Sequence, residues 1–161
     1  MINKKTAALL AGATIIGAIQ GGADPHSRQR LMVFATELGL AFQLQDDLLD
    51  AYGTEAQLGK PIGGDILEGK KSFLMLTALA KADQATKHTL TTLLKDKQMA
   101  AEEKIAAVLD IYNALNVKEI TNQEISLHFG KAMEALDNLV VDRERTEPLR
   151  QLAEGLLNRK N

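Results

Sequence analysis

The sequence predicts an all-α helical bundle. Ala, Leu, Gln, Glu and Lys, which all favour helix, dominate the later segments of the chain. Apolar residues recur at helical spacing, and no alternating strand pattern of useful length appears. We therefore expect residues 1–161 to form one domain, which is long enough to bury a core.

Composition and charge exclude several functions. The chain has 19 Lys and Arg against 21 Asp and Glu, a net charge of −2, so nothing indicates a nucleic acid or another polyelectrolyte as partner. It has no cysteine, which excludes a disulfide framework and a thiolate metal site. A reducing compartment fits this composition, and we expect a cytoplasmic protein.

The first predicted helix spans residues 3–20 and is apolar, with small residues throughout. Gly21 and Gly22 end it. Two lysines followed by the apolar stretch Ala7–Ile19 also match the pattern of a secretory signal peptide. This stretch is too short for a typical membrane span, and we expect a buried core helix instead.

The second predicted helix begins with Asp24 as N-cap and Pro25 at its first position, and it runs to about Asp50. Its apolar residues recur at helical spacing: Leu31, Phe34, Ala35, Leu38, Phe42 and Leu49. A glycine-rich loop is predicted over residues 51–69. Five further helices follow, and they cover residues 70–82, 83–95, 101–115, 119–140 and 146–159, with a connector at Lys97–Met99.

An acidic cluster of Asp46, Asp47 and Asp50 ends the second helix. Carboxylates at these spacings share one side of the helix and repel one another unless a cation neutralises them. The helix dipole also disfavours acids at this end. Hard oxygen ligands suit Mg²⁺, which shares its coordination shell with waters and substrate phosphates. We predict a Mg²⁺ site, and the alternative is a solvated acidic helix end.

The loop that follows carries cations beside flexible backbone. Lys60 lies in GKPIGGD, where glycines permit close approach of an anion and lysine supplies a point charge. The order of residues is not that of a P-loop. Asp65 reaches the acidic cluster through water or, alternatively, caps a helix over residues 66–72. Lys70 and Lys71 contact an anion or form a solvated helix start.

Other candidate groups give weaker signals. Lys4, Lys5 and Thr6 begin the first helix, where a lysine pair alone is weak evidence for a site. The three histidines lie far apart in unrelated contexts, which argues against a histidine metal site; they are His26, His88 and His128. No Ser/His/Asp or Cys/His arrangement is visible, so a hydrolase of that type has no support.

Taken in order, the motifs resemble the C-terminal half of all-trans isoprenyl diphosphate synthases, the polyprenyl synthetase family. The order and spacing of the matching elements are more specific than any one of them. They are Lys5-Thr6 (a KT pair), Phe42-Gln43 (an FQ pair), Asp46-Asp47-Leu48-Leu49-Asp50 (the second DDxxD motif), Gly59-Lys60, Gly64-Asp65-Ile66 and Lys70-Lys71-Ser72.

The resemblance implies an isoprenoid-synthase-like bundle and a Mg²⁺-dependent prenyl transfer. In this family an allylic diphosphate ionises, isopentenyl diphosphate attacks the carbocation, and a proton is lost. The resemblance assigns direct metal ligation to Asp46. It implies that Asp47, Asp50 and Asp65 bind the metal directly or through water. Lys5 and Lys60 would bind the allylic diphosphate, and Lys70 would lie at the edge of the diphosphate site. Thr6 and Gln43 would direct oxygen dipoles toward the carbocation.

The chain departs from the family by its length. Family members are about twice as long, and their N-terminal half carries the first DDxxD motif, an arginine pair and most of the isopentenyl diphosphate site. We therefore expect an incomplete fold that is inactive alone. We also expect the apolar face of Ala7–Ile19 to be exposed and to favour a homo-oligomer. Two other functions remain: a non-catalytic helical partner subunit of a synthase, and a terpene cyclase.

Overall fold

The computed structural model describes residues 6–59 and 61–157, and all regular secondary structure in this part of the chain is helical. The predicted all-α class is thus confirmed. The helices are α1 (Ala8–Gln20), α2 (Pro25–Tyr52), α3 (Glu55–Leu58), α4 (Gly64–Leu67), α5 (Phe73–Lys81), α6 (Gln84–Lys95), α7 (Ala101–Ala114), α8 (Val117–Asp137) and α9 (Arg143–Leu157).

The chain divides into two compact units, and α2 and α8 contribute to both. The first unit ends at Gln45 and resumes at Glu124. Its core joins α1, the first part of α2, the last part of α8, and α9 around small and apolar side chains. The buried members of this core are Ala11, Phe34, Ala35, Leu38, Ala132, Ala135, Leu136 and Ala153.

The second unit, Asp46–Gln123, holds the end of α2, helices α3–α7 and the start of α8. Helix α7 packs against α4, α5 and α6 and is therefore central to this unit. The buried apolar side chains of the unit include Leu48, Ile66, Leu74, Met75, Leu90, Val108, Tyr112 and Val117. The candidate acidic residues of α2 thus lie beside a well-packed helical layer.

Side-chain caps fix several helix starts. The Asp24 carboxylate accepts hydrogen bonds from the backbone N–H groups of His26 (2.9 Å) and Ser27 (3.2 Å), which confirms the predicted start of α2. Asp83 accepts from Thr86 N–H at 2.8 Å and caps α6, so this helix begins within one residue of its predicted start. Helix α5 begins at Phe73 rather than at Lys70, because Ser72 is its N-cap.

The predicted loop over residues 51–69 is partly helical, which corrects the sequence prediction. Helix α2 continues to Tyr52, and the short helices α3 and α4 follow. Four-residue helices are too short to show a 3.6-residue apolar period, and the glycines around them favour a loop prediction. Helices α8 and α9 also begin earlier than predicted, at Val117 and Arg143.

Helix α1 is buried along one face only, which corrects the prediction of a buried core helix. Ala7 and Ala11 are buried, whereas Leu9 is 76% exposed, Ile16 64% and Ile19 49%. The apolar face predicted to be exposed is therefore present on the surface of this chain. No helix in the described ranges is both long and apolar enough to cross a membrane.

Candidate active site

The three aspartates at the end of α2 differ in exposure. Asp50 is 2% exposed and Asp47 is 8% exposed, whereas Asp46 is only partly buried. Buried carboxylates require hydrogen bonds that compensate for lost hydration. The three aspartates are equivalent in the sequence motif, but they differ in burial in the structure.

Asp47 and Asp50 both bind the backbone of the segment that follows. Asp50 Oδ2 accepts a hydrogen bond from the N–H of Asp65 at 2.9 Å, and the Asp50 backbone carbonyl accepts one from the N–H of Gly63 at 2.6 Å. Asp47 Oδ2 accepts from the N–H of Phe73, the first residue of α5, at 3.4 Å. The end of α2 is thereby joined to α4 and α5.

Asp65 and Lys70, two predicted site residues, lie together. The Lys70 ammonium donates to Asp65 Oδ1 at 2.7 Å and lies 3.1 Å from Glu68 Oε2. These bonds, that to Asp65 first, raise the pKa of Lys70. Asp65 lies in the first turn of α4, whose N-cap is Gly63, so it does not cap a helix over residues 66–72 as the alternative interpretation required.

Gly63 is needed where it stands. Its φ of +79° lies in the left-handed region, and a Cβ placed on it would lie 2.4 Å from Ile105 Cδ1 and 2.7 Å from Ile105 Cγ1. The left-handed backbone therefore favours glycine, and the Ile105 side chain of α7 would have to shift to admit a Cβ. The N–H of Gly63 is bonded to the backbone carbonyl of Asp50, so the packing of Gly63 against Ile105 also holds the start of α4 next to Asp50.

We expect Gly63→Ala to destabilise the chain more than Gly69→Ala. Gly69 also has a positive φ, +63°, but a Cβ there would meet no atom within 4 Å. Gly69→Ala is therefore the matched control, and it should lower the free energy of unfolding by about 1 kcal/mol through left-handed strain alone. Gly63→Ala has the same strain and also the overlap with Ile105, so it should lower the free energy further. Urea unfolding of both variants measures the difference, and equal losses would contradict the close contact.

Tyr112 belongs to the surroundings of the acidic residues, although no sequence motif marks it. This α7 residue is 1% exposed. Burial, with smaller effects from Tyr52, Asp65 and Asp47, raises the pKa of Tyr112. Helical periodicity predicts that the side chain is buried, but only the fold brings it near the carboxylates.

Thr6 and Gln43 meet within the first unit. Thr6 Oγ1 donates a hydrogen bond to Gln43 Oε1 at 2.7 Å. One turn earlier on α2, Gly39 permits the chain at Ala7 to approach closely, because a Cβ on Gly39 would lie 2.6 Å from Ala7 Cα. Two side-chain oxygens that the resemblance places near the carbocation are thus side by side.

The remaining predicted cationic residues, Lys5 and Lys60, lie outside the described residues. Within the described ranges, no group of three or more His, Asp or Glu side chains is arranged to hold one ion. Mg²⁺ in proteins is commonly held by one or two carboxylates, with waters and substrate phosphates completing the shell. The partly exposed Asp46 supplies one carboxylate of the kind that such a site uses, and the Asp65 carboxylate, paired with Lys70, supplies another.

Comparison with known proteins decides the family. The model of the family described as polyprenyl synthetase matches residues 1–112. This chain belongs to the polyprenyl synthetase family. The resemblance predicted from the KT, FQ and DDxxD motifs is thereby confirmed, and so is the isoprenoid-synthase-like fold.

Two curated relatives show how much of the family this chain covers. It is 35% identical to a short chain isoprenyl diphosphate synthase of Methanothermobacter thermautotrophicus, over 100% of this chain and 48% of that protein. It is 33% identical to heptaprenyl diphosphate synthase component 2 of Geobacillus stearothermophilus, over 89% of this chain and 43% of the other.

A solved geranylgeranyl pyrophosphate synthase from Corynebacterium glutamicum, described as complexed with isoprenyl diphosphate and magnesium, superposes with a TM-score of 0.88. It is 31% identical, and the match covers 98% of this chain and 45% of that one. This polyprenyl synthetase chain thus spans about half the length of the curated relatives it matches.

Proposed function

We propose that this polyprenyl synthetase chain binds the metal and the allylic diphosphate of an isoprenyl diphosphate synthase. Such a synthase condenses an allylic diphosphate with isopentenyl diphosphate. The observation that carries the proposal is the acidic end of α2 joined to the Asp65–Lys70 segment. The likeness to a synthase described with isoprenyl diphosphate and magnesium supports the choice of ligand and of Mg²⁺.

Asp46 is the candidate for direct metal ligation in this proposal. It is the most exposed of the three aspartates of α2, and carboxylate oxygen is the donor that Mg²⁺ prefers. Bound Mg²⁺ supplies positive charge that stabilises the departing diphosphate. Asp47 and Asp65 would add negative charge to the site, by ligation or through bound water.

Lys70 is a candidate for the edge of the diphosphate site. Its ammonium is paired with Asp65 and Glu68, and its side chain is 43% exposed. An exposed ion pair contributes little net stability, so a diphosphate can replace a carboxylate as the partner of Lys70 at small cost. By the resemblance, Lys5 and Lys60 hold the rest of the allylic diphosphate.

Thr6 and Gln43 are candidates for stabilising the carbocation. Their side-chain oxygens lie 2.7 Å apart, and the hydrogen bond from Thr6 Oγ1 orients the Gln43 carbonyl dipole. Oxygen dipoles fixed in advance of the reaction stabilise a developing positive charge without reorganisation. This role makes the pair catalytic, whereas the aspartates and lysines act on the diphosphate.

Residues 1–161 correspond, in our proposal, to the C-terminal half of a polyprenyl synthetase domain, and we expect no prenyl transfer by this chain alone. The assay is incorporation of labelled isopentenyl diphosphate with dimethylallyl diphosphate and Mg²⁺. We expect no extended product from the chain and product once a complementary N-terminal half is added. Turnover by the chain alone at the rate of a full-length synthase would contradict this.

The second candidate is a helical subunit that supports a catalytic partner. The observation behind it is that one relative is named as component 2 of a heptaprenyl diphosphate synthase, which is a synthase of more than one component. A supporting subunit has no need of the acidic cluster, so Asp46→Asn combined with Asp47→Asn separates the two functions. If the chain binds metal and diphosphate, the double variant should lose Mg²⁺-dependent diphosphate binding. If the chain is a supporting subunit, the double variant should behave as the wild type does.

The exposed face of α1 supports association with another polypeptide. Leu9 and Ile16 are seven residues apart, lie on one side of the helix and are both largely exposed. Contiguous apolar surface of this kind favours association, and we infer a homo-oligomer. A monomer in sedimentation velocity at the concentrations used for assays would contradict this inference.

A further inference from the structure

We infer that Asp50, the last residue of the DDxxD motif, is a positioning residue that anchors residues 63–65 and is not a metal ligand. This inference rests on the proposed function, because it assigns a role within the same diphosphate site. The one-sided spacing of Asp46, Asp47 and Asp50 makes all three carboxylates equal candidates for the metal. Asp50 is set apart by its burial and by its two hydrogen bonds to residues 63–65.

The first observation is the burial of Asp50. The residue is 2% exposed, whereas Asp46, one turn earlier, is partly exposed. Mg²⁺ that keeps waters and binds a soluble diphosphate is reached more easily by the partly exposed Asp46. The buried Asp50 carboxylate uses its Oδ2 atom to accept a backbone N–H in the interior.

The second observation is that two different groups of Asp50 bind the same short segment. Its side-chain Oδ2 accepts from the N–H of Asp65 at 2.9 Å. Its backbone carbonyl accepts from the N–H of Gly63 at 2.6 Å. Gly64 lies between them, and a Cβ there would be in ordinary van der Waals contact with Asp50 Oδ1, at 3.5 Å. Residues 63–65 are thus bound by one residue, Asp50, through its carboxylate and its backbone carbonyl.

The anchored segment determines where the exposed charges lie. Asp65 carries the carboxylate that pairs with Lys70 at 2.7 Å, and its backbone N–H is the group held by Asp50. Loss of the Asp50 carboxylate therefore releases Asp65 and, through it, Lys70. Asp50 acts on the diphosphate site by fixing these two residues, without contact with the ligand.

The variants Asp50→Asn and Asp50→Ala separate anchoring from ligation. The Asn side chain keeps an oxygen that can accept the Asp65 N–H bond but loses the charge that a Mg²⁺ ligand supplies, whereas Ala loses both. Asp46→Asn is the comparison at the proposed metal ligand. Amide hydrogen exchange of Asp65 reports the anchor, and calorimetry with inorganic diphosphate and Mg²⁺ reports the site.

If Asp50 is a positioning residue, the Asp65 amide exchanges about 10-fold faster or more in Asp50→Ala. The same amide stays protected in Asp50→Asn and Asp46→Asn. Diphosphate binding is close to wild type in Asp50→Asn, and it is weakened about 10-fold or more in Asp50→Ala, as for other outer-shell changes.

Two results would overturn the inference. One is unchanged protection of the Asp65 amide in Asp50→Ala. The other is loss of diphosphate binding in Asp50→Asn as complete as in Asp46→Asn, while the Asp65 amide remains protected. Absence of binding by the wild-type chain would count against the proposed function instead, and the exchange measurement would then still decide whether Asp50 anchors residues 63–65.

Discussion

Asp46→Asn is expected to weaken Mg²⁺-dependent binding of inorganic diphosphate by about 100-fold or more. Changing a residue that only contacts the ligands of a metal already weakens binding by up to about 100-fold, and a direct ligand should cost at least as much. The Asn side chain keeps the shape of the carboxylate but removes the negative charge that a hard cation requires. Because Asp46 is partly exposed at the end of α2, the substitution should leave the fold intact.

The control for this variant is Asp110→Asn. Asp110 is an exposed aspartate of α7 in the same compact unit, so the substitution changes net charge equally without touching the acidic cluster. Calorimetric titration of diphosphate at fixed Mg²⁺ compares the two variants, and circular dichroism checks that both are folded. Equal affinities for Asp46→Asn and Asp110→Asn would remove Asp46 from the metal site.

Gly39→Ala and Gly130→Ala are expected to change the free energy of unfolding in opposite directions. A Cβ at Gly39 would lie 2.6 Å from the backbone Cα of Ala7, so the chain before α1 must move away from α2. We expect a loss of about 2 kcal/mol, within the range for overpacking. A Cβ at Gly130, on the exposed side of α8, meets nothing within 4 Å.

Gly130→Ala should therefore stabilise the chain by about 0.5–1 kcal/mol, since Ala has the higher helix propensity. Gly12→Ala, also in a helix and also without a neighbour within 4 Å, gives a second control in α1. Urea unfolding monitored by circular dichroism measures all three variants. A stabilising Gly39→Ala would contradict the close approach that brings Thr6 to Gln43.

The sequence was sufficient to predict the long helices and the starts of α2 and α6. Asp24 and Asp83 cap the helices predicted for them, because the capping bond involves neighbours in sequence. Helices α3 and α4 were not predictable, since four residues carry no apolar period and the contacts that hold them come from distant elements. Gly63 against Ile105 is one such contact.

For the candidate site, the residue types were predictable from the sequence, whereas their differences in burial and contacts follow only from the fold. The spacing of Asp46, Asp47 and Asp50 predicts one acidic group, but burial separates Asp46 from the other two. The Lys70–Asp65 pair spans five residues and follows from the short helix α4. Tyr112 comes near the carboxylates only through the packing of α7 against α4 and α5.

Titration of inorganic diphosphate into the purified chain, with and without Mg²⁺, tests the central claim most directly. The proposed metal and diphosphate site predicts heat of binding with Mg²⁺ present and little or none after its removal with a chelator. The same titration after addition of a complementary N-terminal half measures any contribution of that half. Absence of Mg²⁺-dependent binding both alone and with that half would contradict the assignment of the acidic end of α2 as a diphosphate site.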